Sequence, residues 1–183
     1  MPRQVYLFDP PERFVAGTVG APGERTFFLQ AREGARMVSV ALEKVQVAVL
    51  AERLDQLLDE VRRRGSGGGP TDPGVDDVEP LETPVFEEFR VGTMALGWDG
   101  DGERVVIEAH AVRPNEEQRS EPPDDDDEDA GDVLRVRIPA ATARAFARRA
   151  ARVVAAGRPP CPLCGQPLDP EGHVCPRQNG HRR

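Results

Sequence analysis

A chain of 183 residues with a formal charge of −8 is long enough for one domain with a substantial core, or for one domain plus a small appendage. Its apolar runs fall far short of the roughly 18 residues that cross a bilayer, and Met1 to Phe14 sets charges and prolines where a secretory signal needs an apolar stretch, so a cytoplasmic protein without a membrane segment is expected. Three cysteines, an odd number, exclude a complete disulfide framework and fit a reducing compartment.

The first half of the chain reads as three strands and a helix. Arg13 to Gly20 is short, apolar and closed by Ala-Pro-Gly-Glu; Arg25 to Ala31 is rich in aromatic and β-favouring residues; Met37 to Ala41 is a third strand. From Glu43 the period changes, with Val47, Leu50, Leu54, Leu57, Leu58 and Val61 at three- and four-residue steps, which predicts an amphipathic helix ending near Arg63. Gly65-Ser-Gly-Gly-Gly-Pro then breaks the chain and reads as the start of a linker over residues 65–88.

The second half follows the same plan. Phe89 to Trp98 and Arg104 to Val112 are strands joined by the Asp-Gly-Asp-Gly turn. An acidic insert over 114–132 precedes a third strand, Val133 to Ile138, and Pro139 opens a helix that runs to Gly157. Gly17-Thr18 matches Gly92-Thr93, Arg25 to Ala31 matches Arg104 to Ala109, and Met37 to Val40 matches Leu134 to Arg137. The expected fold is therefore α+β: two βββα repeats, 1–64 and 89–157, forming an antiparallel sheet of about six strands with both helices on one face. Residues 158–183 add a zinc-knuckle tail.

Charge is unevenly spread. Gly65 to Glu88 carries seven acids and no base, and Pro114 to Asp132 carries ten acids and one Arg, which leaves +8 on the remainder. The run around Asp124 to Asp129 repels itself and has nothing apolar to bury, so a solvated loop is expected there, or else an acidic flap over a basic surface. On the last helix Arg144, Arg148 and Arg152 recur every four residues with Arg149 alongside, opposite Phe146, Ala150 and Val153. That pattern predicts an outward guanidinium stripe: a solvated face, or a surface contacting single-stranded nucleic acid or another polyanion.

The tail carries the chemistry. Cys161-Pro-Leu-Cys164-Gly has the form of a zinc-ribbon knuckle, in which two thiolates three residues apart converge on one ion while Pro and Gly permit the turn. Cys175 supplies a third thiolate. The fourth ligand is His173, two residues before it, with His181 as the substitute. A thioredoxin-type dithiol would open a helix, which Gly165-Gln-Pro-Leu-Asp-Pro cannot do. Four countable ligands predict a closed, structural Zn²⁺ site with no open position for catalysis. No Walker, nucleophile-elbow or HExxH motif is present, Asp99 to Glu103 lacks the later ligands of a calcium loop, and no small-molecule substrate is identified. A non-enzymatic zinc-binding protein is expected, acting on a polyanion or, alternatively, as a protein-interaction adaptor.

Arg13-Phe-Val-Ala-Gly-Thr-Val-Gly20, Phe28-Leu-Gln-Ala31, Val40 to Val47, Cys161-Pro-Leu-Cys-Gly and Gly172-His-Val-Cys-Pro-Arg177 together resemble an actinobacterial family known as domain of unknown function 3090. The resemblance implies no activity. It implies His173 over His181 as the ligand, and a histidine-phosphatase-family protein as a partner, since the genes are often neighbours. In plan, the two units also resemble the PUR repeats of single-strand nucleic-acid binders, although this chain barely supplies the aromatic platforms such surfaces use.

Overall fold

The computed structural model describes residues 2–65, 73–113, 131–157, 160–166, 168 and 172–177. Seven strands and two helices follow in the order β1 (Val5–Phe8), β2 (Arg13–Val19), β3 (Thr26–Glu33), β4 (Arg36–Leu42), α1 (Lys44–Arg63), β5 (Glu87–Asp99), β6 (Arg104–Ala111), β7 (Val133–Pro139) and α2 (Ala140–Ala155). The strands form one sheet in the order β1-β7-β6-β5-β4-β3-β2.

The sheet is mixed, which corrects the antiparallel expectation. The hairpins β2–β3–β4 and β5–β6–β7 are antiparallel, but β4 pairs with β5 in parallel and β1 pairs with β7 in parallel. The cause is α1. A helix crossing over the sheet returns the chain to the end where β4 began, so the next strand must run the same way. Val5-Tyr-Leu-Phe8 is a strand that the periodicity does not reveal. Four residues give too short a pattern, and only Phe8 is fully buried, with Tyr6 packed against the core beside it.

One sheet face carries the main core, where Phe14, Leu29, Val40, Val105, Ile107, Val136 and Ile138 pack with Leu50, Leu54 and Leu58 of α1 and Phe146 and Ala150 of α2. The Phe14 and Phe146 rings stack at 4.5 Å between β2 and α2. β6 alternates as a one-sided strand should, with Val105, Ile107 and Ala109 inward. β2, β3 and β4 do not alternate: each has a run of consecutive buried residues. Both of their faces are covered, and the cover on the second face is residues 76–85, with Leu81 and Val85 packed on Val15, Phe28 and Ala41. The stretch read as linker is therefore, in its second half, a strap across the sheet.

β1 and β2 are opposite edges of the sheet, yet only residues 9–12 join them. Five Cα steps reach about 19 Å at most, so the sheet must curl until its edges approach. Arg36 at the start of β4 closes the gap, donating from Nη1 to the Leu7 carbonyl at 2.8 Å and lying over the Phe8 ring. α1 is tied to β5 through Gln46, whose Nε2 donates to the Val91 and Gly92 carbonyls at the bulge between Val91 and Met94.

Candidate metal centre

The tail begins two residues after α2. Cys161 N–H donates to the Gln166 carbonyl at 2.7 Å and Gly165 N–H to the Cys161 carbonyl at 2.8 Å, closing a tight turn. Gly165 sits at φ +74°, a conformation that costs glycine nothing and any other residue strain. The turn points backbone donors at sulfur: Leu163 N–H lies 3.4 Å from Cys161 Sγ. Amides of Cys164 and then Leu163 hold the Cys161 thiol below its ordinary pKa, although desolvation opposes them. At Cys164 the Gln166 amide pulls the same way, but desolvation and the neighbouring sulfurs of Cys161 and Cys175 outweigh it, and that thiol is raised. Such a pair has opposed proton affinities because two thiolates cannot share a site without a cation between them.

Cys175 Sγ lies 3.9 Å from Cys161 Sγ, and His173 Nε2 lies 3.2 Å from Cys164 Sγ. All four donor atoms fall within 4.8 Å of one another. A tetrahedron with Zn–S near 2.3 Å and Zn–N near 2.0 Å has edges of about 3.5–3.8 Å, so the set can hold one metal ion. Its outer pair, Cys161 and Cys175, is buried, and the inner pair is half-buried. Among the described residues the three cysteines are free thiols, and His173 Nδ1 is buried without a hydrogen-bond partner. His181, the substitute ligand, lies outside the described residues, as do Arg158, Arg182 and Arg183, and 114–130 of the acidic insert.

The arginine stripe of α2 faces outward only in part: Arg148 and Arg152 stay at the surface, Arg149 turns inward, and each guanidinium is paired with a carboxylate. Arg144 pairs with Asp55 at 3.0 Å and Asp59 at 2.9 Å on α1. Arg148 pairs with Asp76 at 2.6 Å, and Arg152 meets the same carboxylate at 3.3 Å. Arg149 points inward and is only 7 % exposed; its Nε donates to the Ala16 carbonyl of the edge strand β2 at 2.7 Å, and its Nη1 to the Asp77 carbonyl and carboxylate at 2.7 and 2.9 Å. Asp77 in turn accepts two bonds from Arg13 at 2.6 and 2.9 Å. The Arg13 hydrogen bonds, and then its charge and that of Arg149, hold the Asp77 carboxyl below the usual range against desolvation. Further along, Glu82 pairs with Arg32 at 2.8 Å, and its backbone exchanges bonds with the Gln30 side chain at 2.8 and 3.0 Å.

The residues that sequence reasoning missed are thus Asp76, Asp77 and Glu82. Their only signal is an acidic run lying within the same chain as an arginine stripe. His110 is buried on β6 with Nε2 3.2 Å from Glu108, which also pairs with Arg135 at 2.5 Å. Burial lowers the His110 pKa more than Glu108 raises it.

One protein-family model, described as "Protein of unknown function (DUF3090)", matches residues 6–175. The chain belongs to that family. The match begins within β1 and ends on Cys175, so the family extends over the curled sheet, the strap and all four donor residues, and stops short of His181. No curated protein and no solved structure matches the chain. No helix among the described residues is long and apolar enough to cross a membrane.

Proposed function

We propose that the protein is a non-enzymatic zinc-binding protein, in which Cys161, Cys164, His173 and Cys175 hold one Zn²⁺ and so fold a tail that has no core of its own. The observation that carries this reading is the convergence of three thiols and one imidazole within 4.8 Å. Thiolate and imidazole donors in a tetrahedral array suit zinc above magnesium, calcium or manganese, and four protein ligands leave no position for a reacting water. A structural site of the zinc-ribbon type fits best. Metal analysis of the purified protein tests it: one zinc per chain is expected in the wild type, and a large loss in Cys164→Ser. Zinc absent from freshly purified protein, or retained unchanged in Cys164→Ser, would sink the reading.

On this reading the body is a protein-interaction adaptor, and a histidine-phosphatase-family protein is the partner to try first by pull-down. The alternative, single-stranded nucleic acid or another polyanion on Arg144, Arg148, Arg149 and Arg152, has less support because each of those guanidiniums already has a carboxylate partner. A salt-dependent shift of a single-stranded oligonucleotide at low ionic strength would reverse that ranking. The order strand-strand-strand-helix occurs twice, with β4-β3-β2 and β7-β6-β5 laid out in the same sense across the sheet. That layout, with the paired Gly17-Thr18 and Gly92-Thr93, supports an origin by internal duplication and the PUR-like plan.

A further inference from the structure

A cleft of about 360 Å³ opens between the strap, α2 and the free edge of β2. It is independent of the metal centre. Gly17 and Thr18 come from β2, Arg149, Arg152 and Val153 from α2, and the strap supplies the facing wall from Asp77 to Leu81. The strap is seated there by a close approach that only glycine allows, since a Cβ on Gly17 would lie 2.5 Å from Leu81 Cγ.

The polar groups of this cleft are not all matched to one another. Arg149 engages its Nε and Nη1 with Ala16 and Asp77, while its Nη2 makes no hydrogen bond among the described residues, although the side chain is more than nine-tenths buried. Arg152 is about half exposed and, among the described residues, pairs only with Asp76 Oδ2, at 3.3 Å through Nη1. Across from them, Glu79 enters no ion pair among the described residues; its backbone serves Asp77 and Arg13 instead. The lining also holds Thr18 and Asp77, whose carboxylate is already taken by Arg13 and Arg149, and the apolar Val153, Val78, Pro80 and Leu81. The free edge of β2 adds one more feature. The Ala16 carbonyl points outward to Arg149, so the backbone of Thr18, two residues on, faces the same side.

We propose that this cleft binds a carboxylate that carries an amide N–H and an apolar side chain, the chemistry shared by an N-acylated amino acid and the C-terminal residue of an extended peptide. The carboxylate lies against Arg149 Nη2 and Arg152, whose planar forks suit a two-oxygen acceptor. The amide N–H is offered to Glu79 or to the Thr18 carbonyl, and the side chain rests on Val153 and Leu81. The size is that of one such residue, at the lower end of ligand cavities.

Titration of the full-length protein with N-acetyl-leucine, followed by amide NMR, tests the assignment. Gly17, Thr18 and Val153 resonances shift in the millimolar range, and N-acetyl-leucinamide, which lacks the charge, binds at least about fivefold more weakly. Arg152→Gln, a change at a half-exposed side chain, lowers acid affinity by about the same factor and leaves the amide unchanged. Arg90→Gln, on the central strand β5 and three strands away from β2, changes neither. A tetrapeptide ending in leucine binds more tightly than N-acetyl-leucine if the natural ligand is a peptide terminus, and equally if it is the free amino-acid derivative. The assignment is overturned by acid and amide binding alike, by shifts confined to other residues, or by none at about 20 mM, far above any affinity a charge-matched site of this size would have.

Discussion

Asp77 is the residue on which the strap depends, and Asp77→Asn measures that dependence. Its carboxylate accepts four bonds, two from Arg13, one from Arg149 and one from the Glu79 amide, while remaining 32 % exposed. Removing one partner of a buried pair costs about 3–5 kcal/mol because the other charge is left uncompensated. Arg149 retains the Ala16 and Asp77 carbonyls, and the site is partly wet, so the expected loss is about 2–3 kcal/mol. Urea unfolding followed by circular dichroism reads this as a midpoint about 1 M lower at unchanged slope. Asp76→Asn is the internal control: Asp76 is 44 % exposed and its partners Arg148 and Arg152 lie at the surface, so its replacement barely moves the midpoint. The pH dependence gives an independent check. The folded-state pKa of Asp77 is depressed, so its contribution is complete above the unfolded value of about 3.9 and disappears as pH falls through the lower folded value. Wild type and Asp77→Asn therefore begin to converge below about pH 4 and meet only once pH falls below the folded value. Equal losses in the two variants at neutral pH would refute the reasoning, since the burial of Arg149 would then carry no weight.

Four further outcomes follow from the same contacts. Gly17→Ala forces Leu81 off the sheet and lowers stability by about 1–3 kcal/mol; Leu81→Ala in the same chain recovers part of the loss, as a double-mutant cycle in urea would show. Phe8→Ala costs about 3–5 kcal/mol, because this is the fully buried side chain of β1, and a loss below about 1 kcal/mol would mean that β1 is dispensable. Chelation with EDTA releases the tail to limited proteolysis after residue 157 while the thermal transition of the sheet is unchanged, since no tail residue belongs to the main core cluster. His173→Ala lowers zinc content per chain, measured by plasma mass spectrometry, whereas His181→Ala leaves it at the wild-type value.

The sequence makes the hairpins and both helices legible because each has a period or a turn signal of its own. Leu50, Leu54 and Leu58 repeat at helical steps, and Asp99-Gly-Asp-Gly marks the turn between β5 and β6. The four donors of the tail were legible for a similar reason: ligand spacing is a local constraint, and Cys161, Cys164, His173 and Cys175 converge across fifteen residues of chain. What sequence does not disclose is long-range. The parallel junction of β4 with β5 depends on where α1 returns the chain, and β1 pairs with a strand more than 120 residues away. The strap has no period at all. Val-Asp-Asp-Val-Glu-Pro-Leu-Glu reads as solvated polar chain until the partners of its carboxylates, on β2, β3 and α2, are known.

The strap also changes what the charge pattern means. An acidic stretch and a basic helix in one chain look like a flexible segment and a binding surface, and the bare counts support that view. Once folded, the two largely neutralise each other, and the arginine stripe becomes the clamp that fastens a segment with few apolar residues across the otherwise uncovered face of β2 to β4. Leu81 and Val85 alone cannot repay the ordering of ten backbone residues at about 1–2 kcal/mol each. Buried arginine bonds must supply the rest, and they can do so only where both partners are held rigidly. That explains why Arg149 is bonded to the β2 backbone as well as to Asp77. The tail meets the same difficulty with still less apolar surface, and on the proposed reading a metal ion takes the place of the arginines there. Two segments too poor in apolar residues to fold alone are thus fixed by different polar means. Among the described residues, the cleft beside Arg152 is where the matching of charges along the strap is left incomplete.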